Sequence, residues 1–131
     1  MNHTIILVYI TVKDKNQARA IGRTLVREKY AACANIIDRI TSLYFWEGRL
    51  CDDSKAVLII KTQKSLLDRV IKRVKQLHSY SVPCIVALPI VGGNPDFLKW
   101  VRQETEGAKM KKTGVRDKKN NRLKNDTLSL K

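Results

Sequence analysis

Few side chains in this sequence carry groups that suggest a chemical site. His78, Cys33 and Cys84 offer an imidazole and two thiols, which suit copper and zinc, provided that the fold brings them together. Each also has a structural interpretation, because a thiol is a small buried group and the helix dipole favours an imidazole at a helix carboxyl end. We predict weak metal binding through His78 and Cys33, with copper or another divalent cation as the ion.

The cysteine spacing does not indicate any familiar cysteine-based site. Cys33, Cys51 and Cys84 are odd in number and lack the spacing of a disulfide framework, a zinc site or a redox motif. Reduced thiols are typical of the cytosol. The apolar run at residues 5–12 is too short and too rich in β-branched residues for a signal peptide or a membrane span. We therefore expect a cytoplasmic protein without a membrane partner.

The sequence shows no arrangement typical of an active site. There are two histidines, His3 and His78, and no serine, cysteine or carboxylate stands in a motif that activates a nucleophile. The pair Gly92-Gly93 matches neither a P-loop nor a dinucleotide fingerprint and predicts a turn. We predict that the protein is not an enzyme. A site in a cleft between subunits is the alternative.

Three adjacent aromatic residues mark the most unusual stretch. Tyr44, Phe45 and Trp46 directly precede the turn residues Glu47 and Gly48, at the far end of a hairpin where a small domain has little core left to cover them. An uncovered apolar patch usually marks an interface, and Tyr and Trp often anchor one. The alternative is that the tip folds back on its own domain. We predict a subunit interface at Tyr44, Phe45, Trp46 and Glu47.

The charge of the chain is strongly positive and unevenly distributed. The 131 residues carry a formal net charge of +14, and residues 107–131 supply half of it through nine Lys and Arg against two Asp. We predict a folded domain over residues 1–106 and a basic, disordered tail over residues 107–131. Non-specific contact of the tail with nucleic acid phosphates is an alternative role. Its candidate contacts are Lys111, Lys112, Lys118 and Lys119.

The periodicity of apolar residues predicts four strands and three helices. We expect strands over residues 5–12, 32–46, 56–62 and 84–91, and helices that begin after Asp14, near residue 65 and after Asn94. Two split βαβ units in series give the order βαββαβα, which is typical of an α+β, ferredoxin-like sandwich with a mostly antiparallel sheet. Its helices cover one sheet face, so the other face needs cover from elsewhere.

Four local details are also predicted. Residues 52–54 (DDS) should break or bulge the third strand. Gly22 should allow its helix to approach a neighbouring element closely, since glycine is otherwise unfavourable in a helix. Pro89 should lie at a sheet edge or a bulge. Phe97 and Trp100 should pack inward on the last helix together with Val101.

Five ordered motifs resemble the CutA family of divalent-cation tolerance proteins. They are residues 31–35 (AACAN), 44–48 (YFWEG), 61–62 (KT), 77–83 (LHSYSVP) and 97–100 (FLKW). The resemblance covers about residues 4–106 and implies a ferredoxin-like fold in a tight homotrimer, whose long second and third strands extend into neighbouring subunits. It also implies similarity to PII signalling proteins and no established enzyme activity.

The resemblance carries over only part of the copper site credited to some bacterial members. That site uses a cysteine in the first strand and a His-His pair, which correspond here to Ile10 and Leu77-His78. We therefore predict a homotrimeric, non-catalytic protein of divalent-cation response or tolerance that binds copper weakly. The alternatives are a PII-like small-ligand signalling module and a nucleic-acid-associated protein that acts through its tail.

Overall fold

The computed structural model of the chain describes residues 4–110. Its elements follow the predicted order up to the third helix, with a short 3₁₀ turn before the second helix and an additional short helix at the end. They are β1 (Ile5–Val12), α1 (Lys15–Arg27), β2 (Cys33–Trp46), β3 (Arg49–Gln63), α2 (Leu67–Leu77), β4 (Ile85–Pro89), α3 (Pro95–Glu104) and α4 (Glu106–Met110). The sheet order is β2-β3-β1-β4, and every neighbouring pair is antiparallel. The predicted ferredoxin-like α+β fold is confirmed.

The main core lies between one face of the sheet and helices α1 and α2. Side chains alternate between the two faces of a strand, so β1 buries every second residue, from Ile6 to Val12, against the helices. Their apolar stripes supply Ala18, Ile21, Leu25, Val70 and Val74. Gly22 lies where α1 approaches the sheet, because a Cβ there would be 3.1 Å from Leu58 Cδ1 and 3.2 Å from Ala34 Cβ. The predicted close approach is confirmed.

Two helices begin as their capping residues predict. The Asp14 carboxylate accepts a hydrogen bond of 2.8 Å from the Gln17 amide at the start of α1. The Asn94 side chain accepts one of 3.0 Å from the Asp96 amide, with Pro95 in the first turn of α3. Each cap satisfies an amide that has no partner within its helix.

The β2–β3 hairpin is longer and more regular than predicted. Residues 52–54 pair with residues 41–43 without a break, so the predicted interruption is wrong. Asp52 and Ser54 are exposed, which leaves their polar groups in water while the ladder continues. The irregularity lies in β2, between Ile37 and Ile40. At the tip Glu47 and Gly48 have φ of 51° and 78°, as a tight two-residue hairpin turn requires.

The last long helix of the described chain departs from one prediction. Val101 is buried, but Phe97 and Trp100 remain 38% and 39% exposed. Their inward packing was therefore predicted wrongly, because α3 covers a small apolar cluster of Ile5 and Ala32 and leaves its aromatic rings at the rim.

A short helix, α4, spans the predicted boundary at residue 106. Helix α4 continues to Met110, and the buried Ala108 accepts a 3.2 Å hydrogen bond from Arg69. Residues 111–131, with Lys111, Lys112, Lys118 and Lys119, lie outside the described part of the chain. Within residues 4–110, no helix is long and apolar enough to cross a membrane.

Candidate functional site

The two faces of the hairpin carry different chemistry. Tyr44 pairs with Cys51 and Trp46 with Arg49, so their side chains share one face, whereas Leu43, Phe45 and their neighbour Leu50 lie on the other. The second face is apolar and uncovered, since Leu43, Phe45 and Leu50 are 67%, 72% and 68% exposed. The first face adjoins the loop of residues 78–83 and forms a cleft with it.

The cleft combines aromatic walls with one acidic and one basic group. Its volume is about 290 Å³, and it is lined by Tyr44, Trp46, Asp53, Lys55, Tyr80, Ser81 and Val82. The register places Asp53 opposite Ser42 and Lys55 opposite Ile40, so both side chains share the face of Tyr44. Sites of this kind, with apolar walls and a few polar groups, are typical of small-molecule binding.

The Lys55 ammonium lies between two tyrosine rings. Its Nζ is 4.4 Å from the ring centroid of Tyr44 and 4.9 Å from that of Tyr80, which is the range of a cation–π interaction. Among the described residues, no carboxylate oxygen lies within 4.0 Å of this ammonium. The Lys55 side chain therefore lies in the cleft without an ion-pair partner from residues 4–110.

The acidic group of the cleft, Asp53, affects both of its tyrosines. The Tyr44 hydroxyl donates to the Asp53 carboxylate. This hydrogen bond, helped by desolvation and the negative charge of Asp53, raises the pKa of Tyr44 to about 12, because ionised Tyr44 would lose the bond and face a like charge. Burial, and then the charges of Asp53 and Asp14, raise the pKa of Tyr80. Both phenols hence stay protonated at neutral pH.

His78 holds the loop that forms the other wall of the cleft. Its Nδ1 accepts a 3.0 Å hydrogen bond from the Tyr80 amide, and its Nε2 lies 2.8 Å from the Thr11 carbonyl oxygen, to which it donates when it carries the proton. The side-chain amide of Gln17 donates to the Ser79 hydroxyl over 3.0 Å. The rings of His78 and Tyr80 also contact each other, at 4.7 Å between centroids. These contacts fix Tyr80 against the hairpin.

Comparison with known proteins identifies the family. The family model described as CutA1 divalent ion tolerance protein matches residues 6–104. The chain belongs to this family. A CutA relative from Thermus thermophilus, named a divalent-cation tolerance protein, is 44% identical over 99 residues, which are 76% of this chain and 96% of the relative.

Plant CutA proteins are similarly related but longer. The chloroplastic protein CutA 1 of Oryza sativa is 45% identical over 100 residues, so the match covers 76% of this chain and 56% of that relative. The chain thus matches little more than half the length of this curated relative.

Solved CutA1 structures share the fold. The CutA1 structure from Oryza sativa has a TM-score of 0.76 at 43% identity, and the match covers 79% of this chain and 97% of that one. The structure from Thermus thermophilus has a TM-score of 0.75 at 44% identity, and the match covers 77% of this chain and 98% of that one.

The CutA fold does not bring the two predicted metal ligands together. Cys33 is opposite Lys61 on β3, whereas Thr11, which contacts His78, is opposite Val57. Four residues of strand separate these positions, or about 13 Å at the usual rise. Cys33 Sγ instead lies 3.8 Å from Lys61 Nζ. Within residues 4–110, no three His, Cys, Asp or Glu are arranged to hold a metal ion.

Sequence analysis of this CutA chain singled out two of the seven residues that line the cleft, and for a different role. Tyr44 and Trp46 were predicted as interface residues, but Asp53, Lys55 and Tyr80 were missed. Counting back from the turn at Glu47 and Gly48 would have placed Asp53 and Lys55 on the face of Tyr44, because a two-residue turn fixes the register. Tyr80 gave no such signal, since a loop has no periodicity.

Proposed function

We propose that this chain assembles as a homotrimer and acts in tolerance of divalent metal cations, without catalysing a reaction. The observation that carries the proposal is the uncovered apolar surface of the hairpin and sheet. Leu43, Phe45 and Leu50 are mostly exposed on the hairpin. Apolar surface of this kind, held on rigid strands, favours association with another copy.

The sheet supplies a second uncovered apolar surface. Val86 and Leu88 of β4 pair with Tyr9 and Leu7, so they lie on the face that α1 and α2 leave open, and they are 51% and 50% exposed. Cover from neighbouring subunits would remove both surfaces from water. That there are three subunits rests on the resemblance to the CutA family, and the role in metal tolerance on the family's description and the name of the Thermus thermophilus relative.

The assembly is tested by measuring the mass of the full chain in solution. At micromolar concentration, light scattering or native mass spectrometry should give three times the chain mass of 15.0 kDa. A monomer mass under these conditions would exclude the proposed assembly. A dimer would contradict the number of subunits.

Direct metal binding is tested at His78. Since the chain has two histidines, calorimetric titration with Cu²⁺ should be made on His3→Ala, in which His78 is the sole imidazole. Adding His78→Ala should reduce the weak heat of binding that we expect. Both His78 nitrogens face backbone groups, so a metal would have to displace one of these contacts, which is why we expect the affinity to be low. Equal heats for the two variants would exclude His78 as a ligand.

A further inference from the structure

The cleft between the hairpin and the loop of residues 78–83 has lining residues to which neither metal binding nor assembly, as proposed above, gives a role, namely Asp53, Lys55, Tyr80, Ser81 and Val82. It places an ammonium without an ion-pair partner from the described residues beside the rings of Tyr44, Trp46 and Tyr80. We propose that this cleft binds a small organic anion that carries a planar ring. Lys55 pairs with the carboxylate or phosphate of the ligand, and Trp46 packs against the ligand's ring.

The charges of the cleft favour an anion over a cation. The Lys55 ammonium already occupies the position over the Tyr44 and Tyr80 rings that a bound cation would take, and it would repel a second positive charge. The Asp53 carboxylate also lines the cleft and is engaged by the Tyr44 hydroxyl, so the anionic group of the ligand is expected at Lys55 and away from Asp53. The chain's net charge of +14 also attracts anions over a longer range.

The size of the cleft limits the ligand. About 290 Å³ is at the lower end of the usual range for ligand pockets, so the cleft suits one or two rings with a single anionic group. Because Lys55 lies over the rings of Tyr44 and Tyr80, Trp46 is the aromatic residue of the cleft that supplies a face for stacking, and Ser81 is a further polar residue of the wall. An aromatic carboxylate and a nucleoside monophosphate share this chemistry, and the experiment distinguishes them.

The wall formed by the loop is already in place before binding. His78 accepts from the Tyr80 amide and contacts the Thr11 carbonyl oxygen, and Gln17 donates to Ser79. Preorganised walls lower the entropic cost of binding. Residues distant in sequence therefore converge on one rigid cleft, and His78 is a positioning residue for it.

The binding experiment uses the fluorescence of Trp46. The chain contains two tryptophans, so the full chain with Trp100→Phe reports on Trp46 alone. We would titrate benzoate and adenosine monophosphate, with benzyl alcohol as a neutral ring and inorganic phosphate as an anion without a ring, and confirm each affinity by calorimetry. The variants are Lys55→Gln, Lys55→Arg and, as a charge-matched control on the exposed side of α2, Lys75→Gln.

We expect saturable binding of benzoate, of the nucleotide, or of both, and whichever binds identifies the anionic group. Lys55→Gln should weaken binding by about tenfold or more, because a charge-assisted hydrogen bond is lost. Lys75→Gln and Lys55→Arg should stay within a few-fold of wild type.

Four results would overturn the proposal: no saturation by either ring-bearing anion, unchanged binding in Lys55→Gln, benzyl alcohol as tight as benzoate, or inorganic phosphate as tight as the nucleotide. Light scattering on each variant separates loss of the cleft from loss of assembly. If Lys55→Gln binds the ligand more weakly but has the same mass in solution as the wild-type chain, the proposal is supported. This holds whether that mass corresponds to a trimer or to another state.

Discussion

At the scale of single residues, the contact between Tyr44 and Asp53 gives the hairpin a titratable feature. The Tyr44 hydroxyl donates to the Asp53 carboxylate, and this bond raises the pKa of Tyr44 to about 12. A tyrosine in an unfolded chain ionises near pH 10. The folded protein therefore holds this proton more tightly. The resulting stabilisation is fully present below about pH 10 and is lost as the pH rises toward 12.

The Tyr44 titration can be followed by absorbance near 295 nm. The wild-type chain should show a phenol that ionises near pH 12, and Tyr44→Phe should lack that component. Asp53→Asn should lower the pKa of Tyr44 toward the ordinary value. The substitution replaces a charged hydrogen-bond acceptor with a neutral one, and it removes the negative charge that disfavours ionised Tyr44. Circular dichroism at each pH controls for alkaline unfolding. An identical high-pH component in Tyr44→Phe would assign it to another tyrosine.

At the scale of elements, the packing of α1 on the sheet depends on Gly22. Glycine at this position costs helix stability relative to alanine, yet the helix lies so close to β2 and β3 that a Cβ would be 3.2 Å from the Ala34 Cβ and 3.1 Å from Leu58 Cδ1. The Leu58 methyl can rotate away, but the Ala34 Cβ is fixed to the backbone. The close packing of α1 against the sheet therefore outweighs the helix propensity that alanine would add at position 22.

Gly22→Ala should lower the free energy of unfolding by about 1 kcal/mol, since overpacking costs about 1–3 kcal/mol and the gain in helix propensity returns about 1 kcal/mol. Denaturant unfolding measures the change. Ala20→Gly, at an exposed position of the same helix, gives the propensity term by itself and should cost about 1 kcal/mol. A Gly22→Ala protein more stable than wild type would show that the contact with the sheet is not tight.

At the scale of the whole molecule, the hairpin presents two surfaces that serve different purposes in our proposals. Phe45 lies on the uncovered apolar face, whereas Trp46 lines the cleft and is still 49% exposed. Both residues belong to the predicted subunit interface. A trimer that covers the tip would bury at least part of each ring, and buried aromatic residues are frequent hot spots.

Trp46→Ala and Phe45→Ala should each weaken the trimer, by about 2 kcal/mol or more for a ring buried at the interface. Light scattering over a dilution series measures the shift toward smaller species. Lys75→Gln, at an exposed position of α2, is the control and should leave the mass unchanged. If Trp46→Ala assembles like wild type while Phe45→Ala does not, Trp46 serves the cleft alone. An unchanged mass in both variants would show that the tip does not hold the subunits together.

The sequence by itself determined the order of the elements from β1 to α3 and several of their local boundaries. Asp14 and Asn94 cap helices where predicted, Gly48 adopts positive φ at the tip, and Pro89 ends an edge strand. These features depend on interactions within a few residues of chain, so periodicity, capping and turn chemistry are sufficient to predict them. Much of the fold, together with the placement of Tyr44 and Trp46 next to the hairpin turn, follows from signals of this kind.

Only the tertiary structure decided which distant side chains meet. It separates His78 from Cys33 and engages both His78 nitrogens with backbone groups, it places Lys55 between Tyr44 and Tyr80, and it leaves Phe97 and Trp100 at the rim. These outcomes depend on strand register and on the path of the 78–83 loop across the end of the hairpin. The physical reason is that local propensity acts over one turn or one strand pair, whereas a site is formed by packing between elements far apart in the chain.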